Sequence, residues 1–431
     1  MESTPRGSQT VHRRSPGRLG LSIAWIAAFG WAVVVALLLG TGLAPSLPPA
    51  VPAGDVLSGE LLVEARDFRG PLRLIGLLSQ AAVLLVLAGL ALFRYLPTPG
   101  QLSRLDSRPV AGGAILGAAI ALLLFLVRLP FDLAAWRIGT DFGLVTIDLG
   151  PWAVDGLKGL LIGVAVSGLA GGAATWAWVR FGRRFWLAAS VGLGAFAVLW
   201  LWIWPIVVSP LFNRVEPLPD GPARASLERI TSEARIEVDG VFTEDASRRT
   251  RALNAYVHGL GPSRRVVIQD TALERLGPGE AEVLVAHELA HVEYRDPERG
   301  LLFALLVIPP AAFAVQLLTL AILRRRGQGT SGPLVVLPLA LGLALASFLI
   351  SIPGSWLSRQ VEIRADQRAL ELTRDPDAAV SLHRVIARTN LQDPAPPAVW
   401  TGLFGTHPPA VERVGLARAF RGGQGAGGGP E

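Results

Sequence analysis

The pentapeptide His287-Glu288-Leu289-Ala290-His291 places two imidazoles four residues apart, with an acid beside the first. On a helix, residues four apart share a face and lie about 6 Å apart along the axis. Two imidazoles so placed can both bond one zinc ion at about 2.0–2.1 Å. Glu288 is then positioned to take a proton from a water held by the metal. Two ordinary histidines on an amphipathic helix would give the same letters, so the rest of the site has to be found. The chain has only six histidines, at 12, 258, 287, 291, 383 and 407, and no cysteine. Disulfides and thiolate ligands are therefore excluded, and any metal must be held by histidine and carboxylate.

A hydrolytic metal site needs three protein ligands and one open position. Ser358 to Asp366 offers a third ligand, because Glu362 and Asp366 are four apart in a segment of helical composition. Glu362 could bind the metal while Asp366 holds a ligand histidine by its other ring nitrogen. The same spacing suits a solvated helix with ion pairs among Arg359, Glu362, Arg364 and Asp366. Spacing alone leaves both readings open.

The elements that must position these groups are mostly apolar. Of 431 residues, 51% are hydrophobic and 17% charged, too apolar for an ordinary soluble enzyme. About seven blocks are long enough to span a bilayer: 21–43, 72–94, 110–134, 157–179, 186–210, 301–323 and 333–356. The fifth contains Trp200, Trp202 and Trp204, a residue type favoured at the membrane–water boundary. The net charge of +6 is almost wholly arginine, with Lys158 the single lysine. That bias points to a GC-rich, bacterial genome and a cell-membrane protein rather than to nucleic-acid binding. Residues 1–20 read as a disordered basic terminus, and 421–431 as a flexible glycine-rich tail.

Two hydrophilic regions, 211–300 and 357–431, interrupt the spans. If 301–323 and 333–356 form a hairpin, both regions emerge on one face and can build a single site. The sequence thus predicts a membrane domain over 21–210 and a catalytic domain over 211–420 that includes the last two spans. Within it, Pro222 to Ala234 reads as a helix, with Gly240–Thr243, Leu253–His258 and Arg265–Gln269 as short strands. Leu260-Gly261-Pro262-Ser263 reads as a turn, and a helix from about Gly279 to Tyr294 carries the pentapeptide.

Several separate motifs resemble those of the membrane-embedded CAAX prenyl protease type 1 family. They are Leu129-Pro130-Phe131, Asp155-Gly156-Leu157-Lys158, Ser209 to Asn213, Glu216 to Gly221, Asn254-Ala255-Tyr256 with Arg265 to Ile268, the histidine pentapeptide, Arg359 to Asp366, and Thr406-His407-Pro408-Pro409 with Glu412-Arg413. The resemblance runs from about residue 129 to residue 417. It implies a mainly α, polytopic membrane protein of about seven transmembrane helices around a chamber, with a small α+β zinc-metallopeptidase region built from two soluble segments. It also implies one Zn2+ per chain on His287, His291 and Glu362, with Glu288 as general base and acid. Asp366 would hold a ligand histidine, His407 would stabilise the oxyanion, and Arg413 would hold the site together.

Bottom-up chemistry supports some of these roles. A donor such as His407 near the metal can bind the charge that grows on the carbonyl oxygen, although a histidine before a proline also starts helices. Asn254, Ala255 and Tyr256 could present a strand edge to an extended peptide, or form a hairpin whose edge is covered. Arg128, inside an apolar block, faces either a polar interior or snorkels to a boundary.

The expected activity is hydrolysis of peptide bonds in a peptide or protein substrate, within a lipid bilayer and without nucleic acid. A broad quality-control protease for membrane proteins, or a scaffold with a vestigial zinc site, would share much of the pattern. A scaffold has no need of Glu288. Two features cut across the family comparison. A bacterium would largely lack prenylated Cys-aliphatic-aliphatic-X tails. Related enzymes usually place the catalytic region in the cytosol, whereas the short loops on the N-terminal side here are richer in arginine (Arg6, Arg13, Arg14, Arg18, Arg94, Arg104, Arg108, Arg180, Arg183, Arg184, Arg324 to Arg326) than those opposite (Arg66, Arg69, Arg73, Arg137, Lys158). By the positive-inside rule the catalytic region would lie outside.

Overall fold

A computed structural model of the chain describes residues 18–92, 107–234, 236, 238–259, 264–327 and 332–426. Five long helices come first: α1 (Arg18–Gly40), α2 (Glu60–Leu92), α3 (Pro109–Asp141), α4 (Leu149–Phe181) and α5 (Phe185–Ile203). Strand β1 (Val215–Pro217), helix α6 (Pro222–Ala234) and strands β2 (Gly240–Glu244), β3 (Ala255–His258) and β4 (Arg265–Gln269) follow. Then come α7 (Asp270–Arg275), α8 (Pro278–Glu293), α9 (Asp296–Arg325) and α10 (Val336–Thr373), and finally α11 (Pro376–Thr389), α12 (Ala398–Phe404) and α13 (Ala410–Ala426).

Among the described residues, six segments are long and apolar enough to cross a membrane. One of them, Leu149–Leu211, is broken at Gly182–Arg184 into α4 and α5, so seven long apolar helices stand where seven blocks were expected. Helix α2 starts earlier than its block, at Glu60 rather than near 72, and α3 continues beyond it to Asp141.

Without water to drive association, helices in lipid adhere by close backbone approach and by shared polar groups. Both devices are present. Gly113 of α3 faces Gly171 of α4 so closely that a Cβ on either would meet the other's carbonyl. Gln316 of α9 accepts from the Trp186 backbone N–H at 2.8 Å and donates to the Arg183 carbonyl at 3.1 Å. It thereby satisfies the break between α4 and α5, where the ladder leaves groups unpaired.

The catalytic half has its own core. Val285 and Leu289 of α8 and Val266 of β4 are fully buried at its centre. The sheet order is β1-β2-β4-β3, with β2 and β4 parallel and the outer pairs antiparallel. β3 is therefore an edge strand. β4 follows the β-branched run Arg265–Gln269 as expected, and the helix over Pro222–Ala234 has the expected limits. The turn expected at 260–263 lies outside the described residues, as do 1–17 of the basic terminus and 427–431 of the tail. Residues 421–426, expected as flexible chain, instead complete α13.

Candidate metal centre

Helix α8 is buried from Val283 through Ala290 and again at Val292, so its register is fixed by packing on nearly every side. Pro278 starts it, and Glu280 accepts from the Gly277 backbone N–H at 2.8 Å. After Glu293 the chain reverses through Arg295, which adopts the left-handed conformation at φ 53°, ψ 46°. A non-glycine residue there is costly and needs a surrounding reason. The reason is visible: the reversal brings Asp296 back under His291, where its Oδ2 lies 3.0 Å from Nδ1.

Helix α10 is one rod that leaves the apolar layer and carries Glu362 and Asp366 alongside α8. His287 Nε2 and His291 Nε2 stand 3.2 Å apart. Glu362 Oε2 lies 3.3 Å from His287 Nε2, and Oε1 lies 3.7 Å from His291 Nε2. Donors bonded to a tetrahedral zinc at about 2.0–2.1 Å are separated by about 3.3–3.4 Å, so the edges of this triangle suit one such ion. Glu362 Oε2 is also buried with no hydrogen-bond partner among the described residues, which is expensive unless something else satisfies it. The donor set fits a cation.

The supports of the two imidazoles are separate. His287 Nδ1 lies 2.9 Å from Asp366 Oδ1, close enough for an ion pair but outside hydrogen-bond geometry. Asp366 is in turn clamped by Arg413, whose Nε donates to Oδ2 at 2.7 Å and whose Nη2 donates to Oδ1. His291 rests on Asp296, which also accepts from Arg299 and Arg364. Burial opposes charge on His287, but Asp366 and Glu362 outweigh it and push its pKa up to about 10. A cation entering the site must therefore displace a proton. Burial also pushes the Glu288 carboxyl above the ordinary carboxylate range, with His291 and His287 pulling the other way.

The trio and Glu288 line a cavity of about 930 Å³. His407 is exposed at its rim, with Nε2 3.5 Å from Glu362 Oε1. Asn254, Ala255 and Tyr256 line the same cavity, so all ten residues named from the sequence converge on one space or support it. Tyr256 is tied inward by Glu244, which with burial pushes its phenol up. Glu244 also holds Asn213 and Gln269. Asp296, Arg364 and Arg359 escaped the sequence reading as site residues. Arg359 donates to the Thr401 and Gly405 carbonyls and so fixes the start of the loop bearing His407. An acid five residues past His291, immediately before Pro297, is the sequence signal that could have found Asp296.

The model of peptidase family M48 matches residues 217–420, and that for the CAAX prenyl protease N-terminal region, five membrane helices, matches residues 55–214. The chain belongs to the M48 peptidases. It is 29% identical over 303 residues to the uncharacterized metalloprotease YhfN of Bacillus subtilis, covering 68% of this chain and 70% of that one. It is 25% identical over 333 residues to a CAAX prenyl protease 1 homolog of Caenorhabditis elegans, covering 69% and 74%. The crystal structure of S. mikatae Ste24p shares the fold, with a TM-score of 0.73 at 21% identity, over 92% of this chain and 98% of that one. This M48 peptidase is thus a multi-pass membrane metalloprotease.

Proposed function

We propose that this M48 peptidase is a zinc-dependent endopeptidase of a bacterial cell membrane, with His287, His291 and Glu362 holding the ion. Two imidazoles and a carboxylate are a donor set suited to zinc. The observation that carries the reading is the triangle of donor atoms, all within 4.8 Å of one another, beside a buried acid that has no place in it. When bound, the ion polarises the scissile carbonyl and makes a water acidic. Glu288 takes the proton of that water and returns it to the leaving amine, and its raised pKa suits both tasks. His407, at the rim, donates to the carbonyl oxygen as its negative charge grows.

Asp366 orients His287 and fixes which of its nitrogens faces the metal, while Arg413 keeps Asp366 from standing as an uncompensated charge. The substrate backbone adds to the open edge of β3, with the exposed Asn254 side chain supplying a further hydrogen bond. Glu288→Gln should retain zinc by elemental analysis and lose proteolysis of an unfolded peptide by at least 10³-fold. A purified variant with parental activity would remove Glu288 from this role. Glu362→Ala should lose the metal, and if it keeps a full equivalent the third ligand lies elsewhere.

A further inference from the structure

The segment that leads into β3 is bonded to the membrane helices as well as to its own sheet. Residues 142–148 join α3 to α4, and their backbone pairs with residues 249–251 of the catalytic half. The Thr146 N–H donates to the Arg249 carbonyl and the Arg251 N–H to the Leu144 carbonyl, both at 2.9 Å. The Thr146 and Thr250 hydroxyls cross the same junction, to the Ser247 and Leu144 carbonyls at 3.0 and 3.1 Å. Farther along, the Asn390 side chain holds the N–H and carbonyl of Leu253 at 2.7 and 2.9 Å, and its own carbonyl accepts from Arg69 of α2 at 2.6 Å.

Side chains carry the link into the strand itself. Nη2 and Nε of Arg249 lie 2.8 and 2.9 Å from Oδ2 of Asp155, in the second turn of α4. The other oxygen of Asp155 accepts from Lys158 at 3.0 Å. Nη1 of Arg249 donates to Asn213 Oδ1 at 2.7 Å, and Asn213 Nδ2 donates to Glu244 Oε1 at 2.6 Å. Glu244 also accepts from Gln269 at 3.1 Å and from the Tyr256 phenol. An unbroken polar path thus runs from a membrane helix to the middle of the substrate strand. Fastening the two halves needs only the backbone junction. A carboxylate 5% exposed, such as Glu244, is costly to bury and specifies one arrangement where apolar packing would leave latitude. Given the proposed addition of substrate to β3, we infer that Asp155 and Arg249 are positioning residues, which through Asn213 and Glu244 fix the place of β3 beside the metal centre. Neither lines the catalytic cavity, and the metal-binding trio stands on α8 and α10, outside this path. Only a substrate long enough to pair with β3 feels the pair.

The test uses the full chain in lipid nanodiscs with zinc, and measures kcat and KM on an unstructured decapeptide and on a blocked dipeptide with the same scissile pair. The parent should favour the decapeptide by about tenfold or more in kcat/KM, the gain from strand pairing. In Asp155→Asn and in Arg249→Met that advantage should shrink by about fivefold or more, chiefly through KM, while zinc content and the dipeptide rate stay at the parental level. The double variant should be no worse than the more affected single, because the two residues form one link. Arg249→Lys keeps a charge toward Asp155 and should recover part of the advantage. Should Arg249→Met fail to fold, the near-isosteric Asp155→Asn carries the test. An unaltered advantage in the single variants, a loss that falls equally on both peptides, or losses that multiply in the double variant would overturn the positioning role and leave the peptidase reading intact. A parent that cuts both peptides equally well would remove strand addition and this role together, and one that binds zinc and cuts neither would sink the peptidase reading as well.

Discussion

The contact between α3 and α4 and the contact between α8 and α10 are both close, for opposite reasons. In the bilayer half, Gly113 and Gly171 have no side chain, and the helices meet backbone to backbone without a charge between them. At the metal centre the helices meet through buried His287, Glu362 and Asp366, each of which is costly to bury alone. The first contact can be spoiled by adding atoms, the second by removing one partner. At Gly113 and Gly171 the adhesion is steric, backbone against backbone. The metal centre is electrostatic and tolerates no missing member.

The largest effect expected from that difference is at Arg413. Arg413→Met leaves Asp366 buried without its clamp, and breaking such a pair costs about 3–5 kcal/mol. Both thermal stability in detergent and zinc content should fall, and a variant with parental zinc content and melting would show that the clamp is dispensable. Gly171→Leu should cost about 1–3 kcal/mol by overpacking, lowering the melting temperature while each folded molecule still carries zinc. Loss of metal from that variant would couple the two halves more tightly than drawn here. Asp296→Asn removes the charge under His291 but keeps the fold, and should weaken zinc binding by about 10–100-fold, read by competition with a chelator.

Smaller still is a pH effect at His383, which lines the cavity and is buried on α11. Burial, helped by Arg413, pushes its pKa from 6.5 down to about 3. The unfolded chain therefore takes up the proton first, so this contribution to stability is complete above about pH 6.5 and is lost as pH falls toward 3. His383→Leu should flatten the acid side of the melting profile between those limits. An unchanged slope would place the acid sensitivity elsewhere.

How much of this was legible in the sequence differs along the chain. The convergence of His287, His291 and Glu362 was, since a helix spacing of four fixes which side chains share a face and the chain offers few competing histidines. The span limits were less so. Glu60, Glu64, Arg66, Asp67, Arg69 and Arg73 depress the hydropathy of the first turns of α2, so the apolar block begins a dozen residues after the helix does. The same arginines read in sequence only as a topology signal, because their approach to Asn390 spans more than three hundred residues. β1 was invisible because three residues beside prolines carry no strand pattern, and only the register with Phe242 to Glu244 creates it. The helical reading of 421–426 was masked by Gly422 and Gly423, whose composition favours loose chain although α13 runs through them.

Helix α10 runs for 38 residues, from inside the apolar layer to beyond Asp366, with Pro353 between its apolar half and Glu362, a length of about 57 Å. Its lower half feels the thickness of the bilayer, while its upper half carries Glu362 against histidines fixed to another element. A thinner or thicker bilayer that changes the tilt of this helix would shift Glu362 relative to the imidazoles unless a bend at Pro353 absorbs it. If the helix transmits that shift, hydrolysis should vary with acyl-chain length even for a substrate that never touches the membrane.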